Sequence, residues 1–490
     1  MRDHDIDYSR KWYVMAAVAM GIFLSTIDGS IVNVALPTLV SDLRAPFASV
    51  QWVVLAYLLT LATLLLSMGR LGDMIGKKPI YVTGMVVFTV GSALCGLAPT
   101  VHWLIGARVL QAIGGAMVLA LGTAIVTEAF PPSERGKALG LSGTMVSIGI
   151  VVGPTLGGLI IEALSWHWIF FVNLPVGIAG TLMAMRFVPA FRPGGRQRFD
   201  FVGALTLLAG LLSMLLALTL GQQIGFSQAR VLALFGISAA LLVGFVLVEQ
   251  HGSQPMIDLR LFRNQLFSID LVSGLMTFVA MGGTVILIPF FLQGVLGYDP
   301  RQVGLLMATV PLTLAIVSPL SGVLSDRLGT RPITVVGLLS MLLGFWSMST
   351  ITGNLTTSGY VLRYLPVGIG MGIFQSPNNS AVMGAVPRER LGVASGLLSI
   401  TRTLGQTAGI AVLGALWAGR VSVYAGVPVL GGASTAPAAA QVAGLHDTFL
   451  VVMVLLAFAL LLSVWGLMQE RRTRQILRFA AGPDGPRQAE

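Results

Sequence analysis

The sequence predicts an all-α integral membrane protein: 14 transmembrane helices, built as two six-helix bundles repeated in parallel with two helices inserted between them. Three observations carry this. Only 10% of the 490 residues are charged and 55% are hydrophobic, against a charged fraction of about 25% in a soluble domain. Stretches without Asp, Glu, Lys or Arg run over 138–161, 201–229, 271–298, 302–325 and 332–362, each long enough to cross a hydrocarbon layer of about 30 Å as a helix. Finally, the charged, glycine-rich loop GRLGDMIGKKP at 69–79 returns as GVLSDRLGTRP at 322–332.

The first helix is predicted near 12–36, behind Arg10 and Lys11. A signal peptide would not carry Asp3, Asp5 and Asp7 ahead of so long an apolar run, and no small-residue cleavage site follows, so the helix is read as retained. Helices near 48–69 and 79–98 flank the first charged loop, and helices near 102–127, 138–161 and 167–187 complete the first bundle. The linker FRPGGRQRFD at 191–200 leads into the inserted pair near 201–221 and 230–249. The second bundle follows near 267–293, 303–324, 332–351, 359–383, 391–418 and 446–468. The predicted units are therefore 1–190, 191–260 with the inserted pair, 261–470, and a basic tail at 471–490.

The repeat is more than one loop. Gly69, Leu71, Asp73, Gly76, Lys78 and Pro79 fall on Gly322, Leu324, Asp326, Gly329, Arg331 and Pro332, 253 positions on. Pro132 and Arg108 fall on Pro387 and Arg363 at a spacing of 255, and Gly149, Gly153 and Gly158 fall on Gly405, Gly409 and Gly414 at 256. Matches in the same order and the same sense relative to the membrane mean a parallel duplication.

Charge placement sets the topology. With the N terminus in the cytoplasm, the inner segments hold 23 Lys and Arg residues, while the outer loops hold only Arg44, Arg230, Arg301 and Arg420. The positive-inside rule then puts both termini in the cytoplasm of a multi-pass protein of the cell (inner) membrane. The net charge of +10 is used for topology, which argues against a nucleic-acid partner. The terminal ERRTRQILR at 470–478 reads as an anchor, with anionic lipid as an additional contact. A single cysteine, Cys95, rules out a disulfide framework.

No GxxxxGK[ST], HExxH or GxSxG occurs, and the glycine cluster GIGMG at 368–372 lies in an apolar helix with no strand before it. An enzyme is not expected, nor is a metal or cofactor. ATP bound to this chain would not power transport, so an ion gradient is left as the driving force.

Asp28 lies roughly 24 Å along the first helix, and Arg108 roughly 10 Å into the fourth from its opposite end, so their depths match. A carboxylate at that depth is costly unless it lines a polar cavity, relays protons or is paired. Two readings stay open: a proton transducer in which Arg108 and desolvation pull on Asp28 in opposite directions, or a static ion pair between two helices. The charged loop is likewise either a gating latch, with Gly69, Arg70, Gly72, Asp73, Gly76, Lys77, Lys78, Asp326, Arg327 and Arg331, or a plain basic turn. Trp52, Tyr57, Glu162, Asn173, Gln293, Gln375, Asn378, Asn379 and Arg402 are candidates for a substrate cavity, or for hydrogen bonds between helices.

STIDGSIVNVALP at 25–37, GRLGDMIGKKP, RVLQAIGGAM at 108–117, GIVVGPTLGG at 149–158 and WHWIFFVNLPVGI at 166–178 together resemble the major facilitator superfamily, in its fourteen-helix drug/proton antiporter branch. The resemblance covers nearly the whole chain. It implies that Arg108, supported by Gln111 and Gly114, serves proton coupling, and that the charged loop stabilises an outward-open state from the cytoplasmic side. It also implies that Gly149, Gly153, Pro154, Gly157 and Gly158 form the antiporter motif of helix five. The expected activity is export of amphipathic or cationic drug-like compounds in exchange for protons, with antibiotic resistance as its phenotype and a periplasmic adaptor left open as a partner. The alternatives are a dedicated metabolite exporter, a proton symporter, or a sensor or channel on the same scaffold.

Overall fold

The computed structural model describes residues 10–131, 135–190, 201–251, 259–385, 391–426 and 432–480, and every regular element among them is helical. In chain order these are α1 (Lys11–Asp42), α2 (Phe47–Ile75), α3 (Lys77–Gly96), α4 (Val101–Ala129), α5 (Arg135–Ala163), α6 (Trp168–Phe171) and α7 (Asn173–Phe187). Then come α8 (Phe201–Ile224), α9 (Ala229–His251), α10 (Gln265–Phe290), α11 (Pro300–Met307), α12 (Thr309–Leu328) and α13 (Thr330–Met348). The last are α14 (Thr357–Gly384), α15 (Leu391–Ala425) and α16 (Ala438–Ala480). Among the described residues, 11 helical spans are long and apolar enough to cross a membrane, two of them joining α6 to α7 and α11 to α12. Shorter apolar helical segments occupy Ile148–Ala163 and Leu205–Leu218. Large apolar side chains face outward, among them Leu320, Leu362, Val454 and Leu461, as a lipid-facing surface requires.

The charged loops are tight turns. Gly76 ends α2 at φ 114° and Gly329 ends α12 at φ 89°, left-handed values that a residue with a Cβ adopts only under strain. Their equivalence is local evidence of the duplication, and the packing extends it. In the first half α1 packs on α4, α5 and α7, α3 packs on α4 and α7, and α2 packs on α4. In the second, α10 packs on α14, α15 and α16, α13 packs on α14 and α16, and α12 packs on α14. The pair α8 and α9 pack together, and α8 leans on α2 and α15.

Several helix boundaries differ from expectation: α1 runs on to Asp42, α2 to Ile75 and α15 to Ala425, and α16 is longer at both ends. The last span begins at Ala438 and not near 446: Ala440, Gln441 and Leu445 of its first turns are buried, and Gln441 donates to the Ser434 (3.2 Å) and Ala436 (2.8 Å) carbonyls. The same helix continues through Arg471 and Arg472 to Ala480, so the basic segment starts as a helix end.

Side-chain and backbone contacts between the halves gather at the end of the bundle remote from the two charged loops. Gln51 donates to the Ile410 carbonyl (3.3 Å) and Gln293 to the Val34 carbonyl (3.2 Å). The Phe47 ring sits 4.8 Å from Phe290 and 5.1 Å from Trp417. A Cβ on Gly158 would strike the Pro300 carbonyl, and one on Gly304 the Pro154 carbonyl.

Candidate functional site

Close packing of α3 on α4 shapes the site. A Cβ on Gly91 would run into the Gln111 backbone, and one on Gly114 into the Phe88 backbone. These small residues let the two helices approach, which brings Ser92 of α3 level with Arg108 and Gln111 of α4. Facing them is Asp28 of α1, with no exposure to solvent.

Arg108 Nη1 stands 2.5 Å from Asp28 Oδ2, and its Nε donates to the Val53 carbonyl of α2 at 3.0 Å. Its guanidinium lies over the Tyr57 ring at 4.1 Å and near Phe170 at 5.8 Å, the flat stacking that arginine favours. Gln111, one helical turn from Arg108, accepts from it (2.7 Å) and donates to Asp28 Oδ1 (2.7 Å) and to Ser92 Oγ (2.7 Å). Asn173, the first residue of α7, donates to Asp28 Oδ1 at 3.1 Å. Asp28 thus accepts from three donors on two helices other than its own. The Asn173 Oδ1 and Tyr57 hydroxyl are buried without a hydrogen-bond partner among the described residues.

This arrangement has a chemical consequence. A proton placed on one Asp28 oxygen would turn it into a donor and remove the carboxylate charge, which would weaken the hydrogen bonds now aimed at it. Arg108 keeps its charge in any state, so its hold on α1 depends on the Asp28 charge.

The α5 motif supports α1 from behind. A Cβ on Gly149 would meet Thr26, one on Gly153 would meet Ser30, and one on Gly157 would meet Ile31; Ser30 Oγ donates to the Gly149 carbonyl at 3.0 Å. Gly158 and the Pro154 carbonyl instead face α11 of the other half. In the repeat, Gly405 and Gly409 back onto α10, while Gly414 faces Gln51 of α2. Each half's fifth helix thus rests on its own first helix and on the second helix of the other half.

At the charged loops, a Cβ on Gly72 would strike Leu121, and Gly69 comes close to Ala120. Lys77 pairs with Glu128 at the end of α4. The side chains of Arg70, Asp73 and Asp326 lie outside the described residues; Lys78 is half-buried and Arg327 exposed. Arg331 is buried between Asp270 (3.1 Å) and Glu470.

The candidate cavity residues separate. Tyr57 and Asn173 belong to the Asp28 cluster, Gln293 ties the halves together, and Glu162 is exposed at the end of α5. Trp52 is half-buried. Gln375, Asn378, Asn379 and Arg402 make no side-chain hydrogen bond among the described residues. Arg363 donates to the Gly359 carbonyl of its own helix at 3.2 Å. Ser92, the Val53 carbonyl and Phe170 were not legible as site members. A lone serine at helical distance from Cys95 in an apolar helix was the available signal for Ser92.

The Major Facilitator Superfamily profile matches residues 18–410. The riboflavin transporter RibZ of Clostridioides difficile is 32% identical over 411 residues, 84% of this chain and 89% of that protein. The multidrug transporter protein MdtP of Bacillus subtilis is 31% identical, covering 90% of this chain and 82% of its own, and the multidrug resistance protein Stp of Mycobacterium tuberculosis is 36% identical over 83% and 76%. Among solved structures, a bacterial homolog of the human lysosomal transporter Spinster, inward-facing and unoccupied, superposes with a TM-score of 0.67 at 18% identity over 93% of this chain and 97% of that one. That likeness concerns the fold.

Proposed function

The chain belongs to the Major Facilitator Superfamily, and we propose that within it the protein is a proton-coupled antiporter of the drug-export branch, moving amphipathic drug-like compounds out of the cell. As a member it is a membrane transporter of small molecules and not an enzyme. Within the proposal, the 11 spans together with α14 and the two shorter apolar segments make fourteen crossings, with both termini in the cytoplasm. The end holding Gln51, Phe47 and Gly158 is then the outer one, and the arrangement described is cytoplasm-facing.

The observation that carries the reading is the fully buried Asp28 bound by Arg108, Gln111 and Asn173. Proton entry at Oδ2 weakens the hold of Arg108, and so of α4, on α1. Since α1 carries the glycine face of α5, and α5 reaches the other half at Gly158, the loosening is transmitted to the seam between the halves. Rocking about that seam exposes the central space alternately, and in the opposite state the GRLGDMIGKKP loop closes the cytoplasmic side.

The test is proton release. Rhodamine 6G added to the detergent-purified protein in weak buffer is expected to release protons, and Asp28→Asn to abolish both that release and uphill export in everted vesicles. If both survive in Asp28→Asn, coupling at Asp28 is wrong. A relative named for riboflavin transport favours a second reading, a dedicated metabolite exporter. Proton-driven transport of one metabolite with no drug transport would select it.

A further inference from the structure

Arg402 is a cation deep in the bundle that no described acid neutralises. It lies on α15, roughly 16 Å along the helix from Leu391, and makes no hydrogen bond or ion pair among the described residues. The described acids are engaged elsewhere. Asp28 is held by Arg108, Asp270 and Glu470 by Arg331, Glu128 by Lys77, and Asp447 by Arg420. Asp42 and Glu162 sit at helix ends, Asp299 caps α11, and Glu249 is on α9 against α8.

The rotation of α15 is fixed by its neighbours. Gly405 and Gly409 back onto Phe278 and Val279 of α10, while the Ile410 carbonyl and Gly414 face Gln51 of α2. At 100° per residue Arg402 lies about 20° from Gly409 and about 80° from Ile410, on the edge of the α10 face that is turned toward α2. Its side chain is half-buried, and its place on the helix is about 12 Å from the Gln51 contact in the direction of the charged loops. The adjacent Thr401 and the Asn378 amide of α14 both approach Gly274 of α10, so α10, α14 and α15 converge beside it. Gln375, one turn before Asn378, likewise has no protein hydrogen bond among the described residues.

A guanidinium cannot shed its charge, and an uncompensated charge at membrane depth is costly and marks a ligand path. We propose that Arg402, with the Asn378 and Gln375 amides beside it, docks the acidic group of an amphipathic organic anion, with a carboxylate as the best geometric match to the guanidinium fork. The sequence suggests amphipathic or cationic cargo, but Arg402 is itself a cation with no described acid partner and favours an anion. This inference rests on the transport reading above and deepens it.

Two dyes on the same xanthene ring separate the signs: fluorescein, a carboxylate anion, and rhodamine 6G, an esterified cation. Fluorescence anisotropy on the purified full-length protein is expected to show fluorescein binding that falls about tenfold or more in Arg402→Gln, as for loss of a charge-assisted hydrogen bond. Arg402→Lys should retain most of it, and rhodamine 6G should not weaken in either variant. Fluorescein binding unchanged in Arg402→Gln, or absent from the native protein, overturns the proposal. If Arg402→Gln does not fold, raising NaCl from about 50 to about 500 mM on the native protein decides the matter, since binding held by charge weakens with screening and a flat response overturns it. Everted vesicles distinguish the two failures. Proton-driven uptake of rhodamine 6G without fluorescein binding removes the anion site and leaves antiport standing; Arg402-dependent fluorescein binding without proton-driven movement of either dye does the reverse.

Discussion

Asp28 and Arg108, 80 positions apart in sequence, meet at 2.5 Å with neither side chain exposed by more than 1%. The pair holds α1 to α4, and a static clamp and a proton transducer make different demands on it.

Removing one partner leaves a buried charge alone, which costs about 3–5 kcal/mol. Arg108→Ala is therefore expected to lower thermal stability sharply, and Asp28→Asn also to a lesser degree. The double variant Asp28→Asn with Arg108→Gln should recover much of that stability but no proton-coupled export. Recovery of both in thermal unfolding and vesicle assays would identify the pair as a clamp only.

Gln51 touches the backbone of Ile410 and Gly414 across the halves. In a Cys95→Ser background, the pair Gln51→Cys and Gly414→Cys is expected to cross-link under mild oxidation, halt transport, and regain it on reduction. Free cycling after complete cross-linking, scored by gel shift and dye uptake, would show that this end need not open.

Arg331 answers two carboxylates, with Asp270 the more buried. Arg331→Ala strands Asp270 and should cost roughly 3 kcal/mol, whereas Glu470→Gln leaves the Asp270 contact in place and should cost under about 1 kcal/mol. Denaturation of the purified variants measures both.

Gly76 and Gly329 hold φ 114° and φ 89°. Alanine at either turn is expected to cost about 1–3 kcal/mol through backbone strain alone. Equal melting temperatures for Gly76→Ala, Gly329→Ala and the native protein would contradict this.

Much of the architecture was legible because lipid imposes it: uncharged runs mark spans, and the offset of 253 between GRLGDMIGKKP and its echo marks the duplication. Asp28 and Arg108 were matched by depth, which helical rise supplies. Rotation is not supplied that way. Depth left Tyr57, Asn173, Gln293 and Arg402 in one pool of cavity candidates; packing assigned the first two to Asp28, the third to the seam, and left the fourth unanswered. Ser92 was missed because its role depends on Gly91 and Gly114 drawing α3 onto α4. The start of α16 was placed eight residues late because its first turns are held by tertiary burial of Ala440, Gln441 and Leu445, which hydropathy does not supply.

The swapped rests of Gly158 on Pro300 and of Gly414 on Gln51 are made of bare backbone and amides, with no ion pair among them. Such a joint parts without stranding a charge in lipid, and water can take over its carbonyls as it opens. Closure at this end should therefore be indifferent to ionic strength, unlike the contacts at Asp28 and Arg331, which are made of charges.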